Sequence, residues 1–409
     1  MTTVAAAPVE LDTHVAPRFP ALDALRAVGA LAVLTTHVAF WSGDYGQHGF
    51  WGTLLSRLDA GVAVFFVLSG FLLSRPYLAR AATGLPRPST RSYLWRRLLR
   101  IAPVYVVTAV LALALLREND GLGVGDWVST LFLANTFVDP LPPAGLTHMW
   151  SLAVEVCFYL LLPLLMLVAT GRGASGRLSP ARVVALLVLM AAVTVWWHLD
   201  GGDRVGDRVD GATGQWLPGY LTWFAAGIGL ALVHVLATRG GATACRLLAP
   251  GRQAGACWAL AGGLLLVSAT PLAGPTLLVA PTTAESLTKN LLYTAIGVLL
   301  VLPGVVADER SGFGRTFGHP VARRLGLTSY SLFALHLPVL HLVMWVTGWR
   351  IFTAPGLPLW LLVLAGSLVA AELGYRLLEV PAMRLKRLVP RTRPEPTVDT
   401  AATSVTTDR

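Results

Sequence analysis

Ten apolar runs of about 18 to 22 residues recur along this chain of 409 residues, at about 24–42, 58–78, 98–116, 148–169, 182–199, 216–236, 254–271, 288–306, 327–348 and 357–378. A helix of that length, at roughly 1.5 Å per residue, matches the roughly 30 Å hydrocarbon core of a bilayer. Barrel strands would instead alternate apolar and polar residues at every second position, which these runs do not. The chain is therefore expected to be an all-α integral membrane protein, with about ten transmembrane helices in a single bundle. Composition agrees, because charged residues make up 13% of the chain against roughly 25% in a soluble domain.

Alternating spans divide the basic residues very unevenly. If the amino terminus is cytoplasmic, 26 of the 32 Lys and Arg residues fall on the inner side, and six (Arg57, Arg117, Arg204, Arg208, Lys289 and Arg350) fall outside. That asymmetry predicts a multi-pass plasma-membrane protein with both termini in the cytoplasm. The net charge of +10 then reflects topology and contact with the anionic lipid bilayer, and no nucleic acid partner is expected. Residues 1–20 read as a cytoplasmic segment without the continuous apolar core of a cleavable signal. Residues 21–388 read as the membrane domain, and 389–409, rich in Pro, Thr and Arg, as a disordered cytoplasmic tail. The segment 126–139 (DWVSTLFLANTFVD) is apolar but too short to cross, and is expected to be re-entrant or interfacial. Cys157, Cys245 and Cys257 lack metal-like spacing and read as structural, so no metal is expected.

Candidate chemistry sits on the spans. Arg26 and His37 are eleven residues apart in the first run, about three turns, so they share one face with about 20° of drift. His37 lies about 16 Å deeper, where an ionisable group is costly and usually functional. His148, Ser151 and Glu155 form a second polar stripe, and Glu155, deep in its span, calls for a partner such as His37 or an arginine. A structural hydrogen bond between helices is the alternative, as is an interfacial belt for His148 and Trp150. The basic loop before the third span carries Arg97 and Arg100, three residues apart and suited to clamping an anion, although topology and lipid contact also account for arginines there. Asp23 is placed to orient Arg26 or to favour the helix start. Ser69-Gly70 reads mainly as a close-packing site. His336 precedes Pro338, which frees a carbonyl; the ring either lines a cavity or is satisfied by that oxygen. For Glu379 the expected partner is Arg376 or Arg384.

Taken together, LDALRAVGALAVLTTHVAF, GVAVFFVLSGFLLSRPY, YLWRRLLRIAPVY, HMWSLAVEVCFYLLLP, SYSLFALHLPV and YRLLEVP resemble, in this order and spacing, the acyltransferase-3 family. These multispan O-acyltransferases decorate bacterial surface polysaccharides, lipopolysaccharide, peptidoglycan and some macrolides. The likeness covers about residues 18–385. It implies that Arg26 and His37 are needed for activity, that Arg97 and Arg100 are the family's paired arginines, and that Glu155 is its motif glutamate. Many relatives carry Glu-Glu-Gln-Phe-Tyr where this chain has Glu155-Val156-Cys157-Phe158-Tyr159, so a carboxylate pair is not expected. The tail is not expected to carry an appended hydrolase-like domain of the kind some relatives have.

The implied reaction moves a short acyl group, acetyl in the simplest case, from cytoplasmic acyl-CoA to a hydroxyl of a glycan, a glycolipid or a macrolide-type metabolite. Arg26, Arg97 and Arg100 would hold the donor's phosphates. His37 would act as general base or as acyl carrier, since a neutral imidazole can do either. Glu155 would orient or neutralise the imidazolium, and His148, Trp150, Ser151 and His336 would contribute to the acceptor side. The rival class is a non-catalytic transporter or lipid-handling protein, which also uses buried His and Glu but is marked by Gly/Pro-broken helices in paired halves.

Overall fold

The computed structural model describes residues 19–139, 141–171, 178–276, 279–308 and 310–389. The expected amino-terminal segment and tail lie outside these residues except at 19–20 and 389. The ten runs appear as helices α1 (Pro20–Ser42), α2 (Gly61–Ala82), α3 (Thr90–Leu115), α4 (Trp150–Thr170), α5 (Pro180–Trp196), α6 (Leu221–Thr238), α7 (Ala254–Ser268), α8 (Thr283–Val306), α9 (Pro320–Thr347) and α10 (Gly356–Gly374). Counting the short turns that extend some of them, nine helices among the described residues are long and apolar enough to cross a membrane. The tenth, α7, has 15 residues, about 22 Å at the helical rise. It ends early because Thr270-Pro271 turns the chain into a short helical segment, Pro271–Ala273. No strand occurs among the described residues.

Local sequence explains the helix ends. α1 starts with Pro20 in its first turn and stops at Gly43, whose φ of 88° is left-handed. α3 is capped by the Ser89 side chain, which accepts from the Ser92 amide. In α8, Thr282 and Glu285 form a reciprocal capping box, with the Thr282 amide donating to Glu285 Oε2 at 2.7 Å. The segment at 126–139 breaks into two short helices, Val124–Leu131 and Asn135–Val138, and neither is long enough to cross.

α2 is the centre of the bundle: 72% of its most apolar stretch is buried, against 28% for α5 and 22% for α10 at the periphery. It packs most extensively on α6, and also contacts α8, α1 and α4. A stack of Phe66, Phe224 and Phe158, with ring centroids 4.5 and 3.9 Å apart, ties α2, α6 and α4 together. α1 packs on α9, and α9 on α10. The start of α1 abuts the start of α9 at Asp23 and Gly326, and Trp95 at the start of α3 donates to the Leu385 carbonyl at 3.1 Å. The described parts nearest the two termini therefore lie at one end, with most of the described arginines. Arg57 lies at the opposite end and is a structural residue: it is buried, and donates to the Ser268 carbonyl at 2.8 Å and to the Gly274 carbonyl.

Candidate active site

Five of the sequence-selected residues converge on one narrow cavity of about 70 Å³. Arg26, Arg97, Arg100, Ser151 and Glu155 line it, with Ser69, Tyr159 and Tyr330, and with Phe65 and Phe333 among its apolar walls. A volume of that size holds a few waters. The three guanidiniums come from α1 and α3, whose first turns lie at the arginine-rich end. They differ in how they are paired. Arg26 contacts Asp23 at 3.2 Å, three residues away on the same helix, as its spacing suggests. Arg100 pairs with Glu379, which is 1% exposed, and also donates to the Leu327 carbonyl at 3.3 Å. Arg97 has its guanidinium 5.3 Å from the Tyr159 ring centre and forms no ion pair among the described residues.

The partner of Glu379 corrects the sequence expectation. Arg376 pairs instead with Glu372 at 2.5 Å. The turn Tyr375–Glu379, widened to the π form, ends α10 and places Glu379 against α3 and α9. There its other oxygen accepts from Ser331 at 2.6 Å. Beyond the Arg100–Glu379 pair opens a wider cavity of about 560 Å³, lined by Tyr375, Met383, Arg384, Lys386 and Arg387 as well as by the pair itself. Arg100 is thus common to the linings of the basic outer space and the inner cavity, while its partner Glu379 lines the outer one.

Among the described residues no hydrogen bond or ion pair joins Glu155 to His37 or to an arginine. Its Oε1 accepts from the Ser69 hydroxyl and, at 2.5 Å, from the Tyr159 hydroxyl. Two hydroxyls, one from α2 and one a helical turn away on α4, share one oxygen of the half-buried carboxylate. Ser69 is therefore a polar partner of the motif glutamate, while its neighbour Gly70 provides the close packing. The sequence signal for Ser69 was a single hydroxyl in an apolar run.

The histidines form a separate cluster on the other side of Phe333. Phe333 lines the cavity, and its ring centre lies 5.0 Å from that of His148. His37 Nδ1 is 3.0 Å from His336 Nε2. The His148 ring stands edge-on to both, with centroids 6.0 Å from His37 and 4.6 Å from His336. His148 is 2% exposed and His336 is fully buried, whereas His37 is half-buried. Pro338 has no N–H to give the Ala334 carbonyl one turn earlier. One of the two readings of the sequence has His336 take this released oxygen; instead His148 Nε2 approaches it at 3.3 Å. His336 turns back to the Phe333 carbonyl, 2.6 Å from its Nδ1. His336 lines neither cavity, and His37 does not line the inner one. Trp150 also stands apart, its ring 5.1 Å from that of Tyr220. Among the described residues no group of His, Cys, Asp and Glu has the arrangement of a metal site.

A family profile described as an acyltransferase domain matches residues 19–375. The chain is 26% identical over 421 aligned residues to Nodulation protein 10 of Rhizobium leguminosarum, covering 89% of this chain and 93% of that protein. It is 25% identical to Peptidoglycan O-acetyltransferase OatA of Listeria monocytogenes, over 88% of this chain and 55% of the relative. It is 33% identical to Acyltransferase MdmB of Streptomyces mycarofaciens, over 36% of this chain and 39% of the relative. The chain thus spans nearly all of the first of these, but about half or less of the other two. No solved structure matches it. Ordered motifs, an all-helical membrane bundle and a profile match over most of the chain agree: the chain belongs to the acyltransferase-3 family of membrane acyltransferases.

Proposed function

We propose that the protein transfers a short acyl group, in the simplest case acetyl, from acyl-CoA to a hydroxyl of a glycan, glycolipid or macrolide-type acceptor. One observation carries this reading: three guanidiniums line a cavity that has Phe65 and Phe333 among its walls, and a cluster of three imidazoles packs against Phe333. Such an arrangement suits a donor that is polyanionic at one end and reactive at the other. The donor's phosphates would meet Arg97, the cation without a carboxylate, with Arg26 and Arg100 beside it. Its nucleotide end would occupy the basic outer cavity, and its thioester would point inward. The inner cavity is too narrow for that arm as it stands, so Phe65 and Phe333 must rotate for the thioester to reach His37.

In one version of the chemistry, His37 takes the proton of the acceptor hydroxyl as that oxygen attacks the thioester carbonyl; the C–S bond breaks and the thiolate leaves, taking up the proton. In the other, the imidazole attacks first, releases the thiol, and passes the acyl group to the hydroxyl in a second step. Both need a neutral, accessible ring, and His37 is the most exposed member of the cluster. That its relatives include a peptidoglycan O-acetyltransferase, OatA, and an acyltransferase, MdmB, supports acyl transfer and leaves the choice of acceptor open.

The test is release of free thiol from acetyl-CoA by purified protein in detergent. His37→Ala is expected to lower turnover by at least about 100-fold, the usual contribution of a general acid or base. Unchanged turnover in that variant refutes the role of His37, and a wild-type protein inert with acetyl-CoA and with acceptor-containing extracts favours the transporter class. Mass spectrometry of surface glycans and secreted metabolites from a deletion strain identifies the acceptor.

A further inference from the structure

Within the acyl-transfer reading, whose reactive group is His37, the hydrogen bonds behind the ring carry information of their own. We propose that His336 is a positioning residue that fixes the tautomer of His37, so that Nε2 of His37 keeps its lone pair for the reacting atoms. The chain begins at a peptide oxygen. The Phe333 carbonyl only accepts, so the atom 2.6 Å from it, His336 Nδ1, is the protonated nitrogen of that ring. In a neutral imidazole the other nitrogen is then an acceptor. His336 Nε2 is that nitrogen, and its partner at 3.0 Å is His37 Nδ1. His37 must therefore donate from Nδ1, which leaves Nε2 unprotonated.

The surroundings keep this arrangement from reversing. His336 is fully buried, so no water competes for either of its nitrogens. His148, which packs edge-on against both rings, directs Nε2 to the Ala334 carbonyl that Pro338 leaves free. No acidic side chain hydrogen-bonds any of the three rings among the described residues, and Glu155 is committed to Ser69 and Tyr159. A peptide carbonyl thus stands, through His336, where other enzymes place a carboxylate to orient a basic histidine. The consequence differs from that of a carboxylate. When His37 Nε2 takes the proton of the acceptor hydroxyl, its Nδ1 proton stays shared with His336. The His336 proton cannot pass to the Phe333 carbonyl, because a peptide oxygen is not a base. The device orients the ring and steadies the imidazolium, and it shuttles no proton.

The experiment uses the full chain in detergent with ¹⁵N-labelled histidine. Long-range ¹H–¹⁵N imidazole spectra report the tautomer of each ring, and the His37 signals are those missing from His37→Ala. Wild type is expected to show His37 protonated at Nδ1. His336→Leu removes the acceptor and is expected to give a mixture of tautomers. His336→Gln, whose side-chain oxygen reaches the place of Nε2, is expected to restore the single form. In parallel, kcat for acetyl-CoA should fall at least about tenfold in His336→Leu with KM nearly unchanged, and recover in His336→Gln. A His37 ring protonated at Nε2 in wild type overturns the proposal outright, even if no variant folds; so does an unchanged His37 spectrum in His336→Leu. If the spectra behave as expected while no protein turns over acetyl-CoA, the positioning role stands and the proposed reaction falls.

Discussion

Among the three arginines of the inner cavity, pairing separates the cation available to a substrate from the one that holds the wall. Arg100 neutralises a carboxylate that is 1% exposed, and removing one member of a buried pair leaves the other charge without compensation. Arg100→Gln is therefore expected to destabilise the protein by roughly 3 to 5 kcal/mol. Much of that should return in the double variant Arg100→Gln/Glu379→Gln, measured as the unfolding midpoint in detergent. Arg97 forms no ion pair among the described residues and lies over the Tyr159 ring. Its replacement by Gln should leave the midpoint unchanged and raise KM for acetyl-CoA by roughly 10- to 100-fold, the worth of one charge-assisted hydrogen bond. A destabilised Arg97→Gln, or an Arg100→Gln that changes only KM, reverses the assignment. Helical spacing alone pointed to Arg26, His37, Arg97 and Arg100. The partners were not legible, because Ser69 with Glu155, Glu379 with Arg100 and His336 with His37 are separated by 86 residues in the first case and by about 280 and 299 in the others. No local periodicity encodes contacts of that kind. Pro338 gave the one usable hint: it announced a free carbonyl, though not that His148 would claim it.

At the scale of elements, run length marked each helix because a bilayer imposes that length. The two departures have local causes: α7 is cut short by Thr270-Pro271, and 126–139 is too short to cross and folds into two short helices. Helix crossings were less visible, since apolar residues surround membrane helices on all sides and periodicity fades. The α2–α6 contact shows what replaces it. Gly70 of α2 faces the Phe224 carbonyl, and Gly227 of α6 faces the Val67 carbonyl, so backbone meets backbone. A Cβ at Gly227 would lie 2.7 Å from the Phe71 amide nitrogen and closer still to the Val67 oxygen. Neither neighbour is a side chain that could swing away. Gly227→Ala should therefore destabilise the bundle by roughly 1 to 3 kcal/mol and, by moving α2, loosen Ser69 from Glu155 and lower activity. Gly229→Ala, two residues along the same helix, meets only the Leu187 side chain at 3.4 Å and serves as the control. Equal unfolding midpoints for the two variants would remove the close crossing as a stabilising feature.

For the molecule as a whole, the proposed chemistry requires a direction, because a polyanionic donor is confined to the cytosol. Start of α1, start of α3, start of α9 and the described carboxyl-terminal turns sit together at one end. The Arg239 guanidinium at the end of α6 donates to the Ala82 carbonyl at the end of α2, which brings the α6–α7 turn to the same end. That turn carries a native reporter: Cys245 is exposed, whereas Cys157 is half-buried and Cys257 buried, and all three are free thiols. The charge asymmetry leads us to propose that this end faces the cytoplasm. A membrane-impermeant maleimide is therefore expected to modify Cys245 in inverted vesicles and to leave it untouched in intact cells, with peptide mass mapping to distinguish it from the other two cysteines. Labelling in intact cells alone would place the three guanidiniums and the basic outer cavity on the far side of the membrane, away from any cytosolic thioester. The acyl-CoA donor would then be excluded, even though the family membership of the chain would remain.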